Sequence, residues 1–156
     1  LNHEVILDWT NFQLFDLRLD PSNRCLSGHR RFELIDVEAG TETPLAGLFD
    51  IADGQFGAPA SLAGFLHPLN VQAYCPCGQV SVAAGTAWAA PPRCPDCREP
   101  MQWLPETQCN RMDRPLAEEL AILDKPLGEL GFPAGGMFLA RSPGKPPKRL
   151  LLRGND

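Results

Sequence analysis

Hydrophobic and polar positions alternate most clearly near the start of the chain. Phe15, Leu17 and Leu19 take turns with Asp16, Arg18 and Asp20, the period of two that a half-buried strand requires. Val5, Ile6 and Leu7 form a shorter apolar stretch, expected as its neighbour, and Pro21-Ser22-Asn23 ends the strand. A further strand is expected over residues 31–37, closing at Glu38-Ala39-Gly40. The period then changes. Leu45, Leu48, Phe49 and Ala52 fall at i, i+3, i+4 and i+7, which predicts an amphipathic helix with Thr43 as its cap, Pro44 at its first position and Gly54 as its stop.

Residues 59–68 carry no decisive period. Beyond them, residues 70–74 read as a strand, Val80 and Val82 alternate within a second over 79–83, Gly85 turns the chain, Trp88 lies on the return, and residues 101–104 make a third strand. Leu116, Leu120 and Leu123 can share one helical face with Glu118 and Glu119 in solvent. Residues 126–130 suit a single turn stopped by Gly131 and Pro133. Residues 137–141 and 149–152 then read as paired strands across a Pro/Gly/Lys loop.

The central strands enclose the chain's most specific pattern. Cys75-Pro76-Cys77-Gly78 is followed, sixteen residues later, by Cys94-Pro95-Asp96-Cys97. Two sulfurs on a tight turn can point at one ion, and two such turns joined by a hairpin place four thiolates around a tetrahedral zinc. The second cluster has the common C-x-x-C spacing, whereas the first, C-x-C, is one residue tighter. Two other readings of the same spacing stay open, a disulfide pair and four reduced core cysteines. A redox-active C-x-x-C would sit on a strand–helix unit, and none surrounds Cys94 and Cys97.

Composition narrows the class. With 44% hydrophobic residues in 156 the chain can bury a core, but 16 Pro and 14 Gly imply short elements and many turns. No apolar run approaches the ~20 residues of a membrane span, and no signal-like segment precedes Leu1. The missing initiator Met points to a processed chain or a piece of a longer one. Cysteines clustered at ligand spacing favour metal and a reducing cytoplasm over a secreted disulfide scaffold.

Charge is unevenly placed. The net charge is −5, yet residues 141–156 hold Arg141, Lys145, Lys148, Arg149 and Arg153 against Asp156 alone, a local +4 that leaves −9 on the remainder. An acidic body does not suit phosphate-backbone binding, so nucleic acid is not an expected partner. The basic end reads either as a solvated strand edge or as a docking edge for an acidic protein, with residues 149–152 open to strand addition.

These readings combine into an α+β fold: a short-stranded mixed body with few short helices and an inserted zinc ribbon. Residues 1–72 form a strand-rich segment with one amphipathic helix, 73–105 the ribbon, and 106–156 a short helix plus a C-terminal β-hairpin. Cys75, Cys77, Cys94 and Cys97 are the expected metal ligands, and no catalytic or cofactor-binding residue is assigned. Cys25 and His29, at C-x-x-x-H spacing, could join Cys109 at a second metal site, but three ligands from distant segments make a weak set. Cys25 among Arg24, His29, Arg30 and Arg31 could also favour its thiolate. His3 and His67 lack evident partners, Asp50 and Asp53 read as helix-surface carboxylates, and Gly135-Gly136 reads as a turn.

The sequence blocks FDLRLDPSNRC, TPLAGLFDIA, CPCG, CPDC, LPET, LDKPLGELGFPAGGMFLARS and RLLLRGND follow one another along most of the chain. In this order they resemble the C-terminal part of ThiF/MoeB/HesA-type ubiquitin-activating-like proteins. That family uses ATP to adenylate the C-terminal glycine of a ubiquitin-like or sulfur-carrier protein, and a tetrathiolate zinc often braces its fold. The resemblance therefore implies structural zinc on Cys75, Cys77, Cys94 and Cys97, and a ubiquitin-like or sulfur-carrier protein as partner. The family's nucleotide site needs a glycine-rich turn between strand and helix. Here Gly54, Gly57 and Gly64 are dispersed, and the turn at residues 133–136 enters a strand. The expectation is a non-catalytic C-terminal module without an ATP site. The competing class is a free-standing zinc-ribbon adaptor that binds protein, and an adenylation domain upstream of Leu1 would separate the two.

Overall fold

The computed structural model of the chain describes residues 3–8, 13–18, 33–64 and 68–154, with side chains over 33–63 and 68–154. Two compact units appear, Leu1–Arg31 and Phe32–Asp156. In the first, β1 (His3–Asp8) pairs antiparallel with β2 (Gln13–Arg18), Ile6 opposite Phe15. This is the strand pair that the alternating pattern predicts.

The second unit begins with β3 (Glu33–Val37), α1 (Leu45–Phe56) and β4 (Ser61–Gly64). It continues through β5 (Leu69–Tyr74), β6 (Val80–Gly85), β7 (Gln102–Trp103), a 3-10 turn at Pro105–Thr107 and β8 (Gln108–Cys109). It ends with α2 (Arg114–Glu119), β9 (Met137–Arg141) and β10 (Lys148–Leu152). The fold class is α+β, with short helices. Among the described residues no helix is long and apolar enough to cross a membrane.

The body sheet has the order β3-β10-β9-β4. The expected β9–β10 pairing is present, Leu150 facing Phe138. Residues 149–152 do not form an open edge, however. The other side of β10 pairs parallel with β3, Leu150 opposite Ile35, so strand addition at β10 is ruled out. Leu150 and Leu152 are buried, which explains why this strand lies inside the sheet. β4 comes from the stretch without a period; Ser61–Gly64 pairs with β9, and Leu62 exchanges both backbone hydrogen bonds with Met112.

Helix α1 lays Leu45, Leu48, Phe49, Ala52 and Phe56 into the core. It runs past the expected stop at Gly54 and ends at Gly57, which takes a left-handed φ of 61° and donates its N–H to the Asp53 carbonyl. A glycine inside a helix costs about 1 kcal/mol, whereas burying a Phe side chain contributes about 1.5–3 kcal/mol. Phe56 therefore outweighs Gly54. Nor does Thr43 cap the helix. Its Oγ1 accepts from the Gly40 N–H at 2.9 Å, and the first helical donors, Leu45 and Ala46, reach the carbonyls of Lys125 and Leu123. Asp113 caps α2 by accepting the Leu116 N–H at 3.1 Å. Leu116, Leu120 and Leu123 pack against the core, but not as one helical face. α2 ends at Glu119, Leu120 is its C-cap, and Ala121 at a φ of 52° turns the chain before Leu123. Ala117 and Ile122 are the fully buried residues there.

A second sheet, β6-β5-β7 with β8 also on β5, forms the ribbon. Its apolar core is small and separate: Ala73, Cys75, Cys94 and Met101, with Trp103 against them. The ribbon is held to the body through Thr86. The Thr86 N–H donates to the Leu130 carbonyl at 2.8 Å and its hydroxyl to the Gly131 carbonyl at 2.9 Å. Gly131 has a φ of 81°, and a Cβ there would stand 2.2 Å from the Thr86 hydroxyl, so this contact admits only glycine.

Candidate metal centre

β5 delivers Cys75 at the start of the first turn, and the chain re-enters β6 just after it. The turn closes by two backbone bonds, Gly78 N–H to the Cys75 carbonyl at 2.9 Å and Cys75 N–H to the Gln79 carbonyl at 2.8 Å. The second turn closes likewise, with Arg98 N–H to the Cys94 carbonyl at 2.9 Å and Cys94 N–H to the Glu99 carbonyl at 2.8 Å. In both, the residue after the second cysteine has a positive φ: 101° at Gly78, 64° at Arg98. The two turns share one closure pattern, and C-x-C closes it with one residue fewer. That is how the tight spacing still works.

The four sulfurs converge. Cys75 Sγ lies 3.4 Å from Cys97 Sγ, Cys77 Sγ 3.5 Å from Cys94 Sγ and 3.8 Å from Cys97 Sγ, and all four fall within 4.8 Å of one another. A disulfide needs about 2.05 Å, so the disulfide reading fails for these four, which are free thiols. The reduced-core reading fails too, since Cys77 and Cys97 are exposed while Cys75 and Cys94 are buried. Ligands at about 2.3 Å in a tetrahedron stand about 3.8 Å apart, and the observed separations bracket that value. The four cysteines can hold a metal ion.

Crowding sets the sulfurs against one another. The Cys97 amide favours the Cys94 thiolate, burial opposes it, and the Asp96 amide with the neighbouring thiols tips the balance, holding Cys94 down at about 7. At Cys75 the Cys77 amide also favours the thiolate, but burial and the sulfurs of Cys77, Cys97 and Cys94 outweigh it and push the thiol up to about 12. Cys97 rises as well: the Glu99 amide and Cys75 lower it, and burial with Cys94 and Cys77 raises it further. One thiolate forms first and its neighbours resist, as like charges at this range must. A divalent cation among them removes the conflict, because it binds the deprotonated form of each.

Side chains brace the cluster from outside. Gln79 Nε2 donates to Asp96 Oδ2 at 2.5 Å, joining the two turns. Tyr74 Oη donates to Gln102 Oε1 at 2.5 Å across paired positions of β5 and β7, and Trp103 Nε1 donates to the Ala89 carbonyl at 3.0 Å. The Gln79–Asp96 link and the strained Arg98 escape sequence reasoning. Their one trace is that each stands within two residues of a cysteine.

The remaining candidates separate. Cys109 lies on β8 with its Sγ donating to the Arg111 carbonyl at 2.6 Å, and Cys25, His29 and His67 lie outside the described residues. His3 lies on β1. Asp50 and Asp53 both hold Arg114, at 2.7 and 3.2 Å, and Asp53 also accepts the Ala60 N–H at 2.7 Å; both carboxylates are structural. Gly135-Gly136 is the expected turn into β9, Gly135 at a φ of 71° and the Gly136 N–H on the Pro133 carbonyl. The basic C-terminal residues are largely engaged. Lys145 and Lys148 donate to the Phe56 and Gln55 carbonyls at the end of α1, Lys148 also meets Glu33, and Arg153 forks onto Asp36 at 3.0 Å. Comparison of the chain with protein-family models, with curated proteins and with solved structures returned no match.

Proposed function

We propose that Cys75, Cys77, Cys94 and Cys97 hold one zinc ion and that its role is structural. The observation that carries this reading is the convergence of four sulfurs, all within 4.8 Å, from two turns closed by the same backbone bonds. Soft thiolates in a tetrahedral set select zinc or iron. Four of them leave no coordination position for water, so the ion folds the ribbon and performs no hydrolysis.

For the whole chain the reading is a non-catalytic module of a ThiF/MoeB/HesA-type system, cytoplasmic, bracing its fold through zinc and docking a ubiquitin-like or sulfur-carrier protein. What supports it is the order of motifs along the chain together with the cysteine cluster they enclose. The C-terminal hairpin is no longer the candidate docking edge, because β10 is paired on both sides.

Metal analysis of protein purified without added metal tests the zinc reading. The expected result is one zinc per chain in the wild type and close to none in Cys97→Ser; iron in place of zinc, or no metal, contradicts it. Calorimetry with ubiquitin-like proteins from the same genome, with ATP alone as the control, tests the module reading. Binding of such a protein without ATP supports it, and tight binding of ATP by this chain overturns it.

A further inference from the structure

Among the described residues Arg114 meets Asp50 and Asp53, Lys125 meets Glu129, Lys148 meets Glu33, and Arg153 meets Asp36. Arg111 and Arg141 are not among these, and both line one cleft of about 460 Å3. Among the described residues neither meets a carboxylate, and the Arg141 side chain makes no hydrogen bond.

Ser61 touches both arginines, Arg111 through its side chain and Arg141 through its backbone. It is buried on β4 as the register partner of Arg141, and its hydroxyl donates to the Arg141 carbonyl at 3.4 Å. The same hydroxyl accepts from Arg111 Nε at 2.9 Å. A neutral hydroxyl thus orients the Arg111 guanidinium without cancelling its charge, and leaves its two Nη groups for a ligand. The carboxylates that also line the cleft are committed elsewhere: Asp53 to the Ala60 N–H and Arg114, and Asp113 to the Leu116 N–H. Pro59, Pro115 and Pro143 form walls with no N–H to offer.

We propose that this cleft binds a ligand presenting an oxyanion, a carboxylate or a phosphate, on a small apolar body, with Arg111 and Arg141 as the binding forks and Ser61 as a positioning residue. Guanidinium forks match either oxyanion through paired N–H bonds. An anion held by both offsets the repulsion between like charges that line one cleft. The site is independent of the metal centre and of the reading built on it.

The test is an NMR titration of the full chain with benzoate, with phenyl phosphate, and with neutral benzamide as control. Saturable shifts at the amides of Ser61, Arg111 and Arg141 are expected with the anions and not with benzamide. The tighter of the two anions names the group. Arg111→Gln and Arg141→Gln should each weaken binding at least about tenfold. Arg141→Lys, which keeps the charge and loses the fork, should fall between, and Ser61→Ala should cost several-fold through Arg111. Lys145→Gln, on the nearby hairpin, should leave affinity unchanged. The proposal is overturned if neither anion binds saturably, if benzamide binds equally well, or if both arginine substitutions leave affinity intact.

Discussion

Gly78 and Arg98 hold the same place in the two turns, yet only one is glycine. A left-handed backbone costs an ordinary residue about 1–2 kcal/mol relative to glycine, so Arg98 at a φ of 64° carries strain that Gly78 avoids. Arg98→Gly should therefore stabilise the metal-loaded protein by about 1 kcal/mol, less the entropy a new glycine loses on folding. Gly78→Ala should destabilise it by at least as much. Its ideal Cβ meets nothing within 4 Å, so the cost would be backbone strain alone. Thermal unfolding of both variants checks this; an unchanged midpoint for Gly78→Ala would remove backbone strain from the account. At this scale the four clustered cysteines were legible because metal chemistry dictates their type and spacing. Arg98 was not, because a positive φ on a long side chain leaves no mark in composition.

The ribbon and the body differ in how far their own apolar contacts sustain them. The body core runs through α1, β9 and β10 to Leu127 and Leu130 and takes in Leu69 of β5, whereas the ribbon's own cluster has Met101 as its single large aliphatic side chain. Burying one such side chain contributes about 1.5–3 kcal/mol. Fixing the backbone costs about 1–2 kcal/mol for every residue ordered. Structural zinc in small peptides contributes about 10–16 kcal/mol, enough to reverse that balance. Cys97→Ser should accordingly give fast hydrogen exchange across residues 74–104, with protection kept in α1, whose contacts lie in the other core. Unchanged protection in the ribbon would contradict a metal-dependent fold. The apolar face of α1 and the ribbon strands could be read from local pattern. β4 could not, since Ser61-Leu62-Ala63-Gly64 becomes a strand only by lying beside β9. Nor could the place of β10 inside the sheet, because its parallel partner β3 is more than a hundred residues away in sequence.

Across the second unit, charge and clamps divide the work. The basic residues near the C-terminus read from sequence as a docking edge, but Lys145 and Lys148 close the end of α1 and Arg153 holds Asp36, so much of the local positive charge is used within the fold. Thr86 fixes the ribbon to the body at Gly131, so that the cysteine cluster rides on a supported hairpin. Sequence could not show how ribbon and body are joined, because the joint is a threonine on two backbone carbonyls with Leu69 and Ala84 of the ribbon strands against the body core. The central claim is that four thiolates surround one zinc. X-ray absorption at the zinc edge on the purified chain tests it most directly. The account predicts four sulfur scatterers at about 2.3 Å and no lighter ligand; a shell containing nitrogen or oxygen at about 2.0–2.1 Å would contradict it.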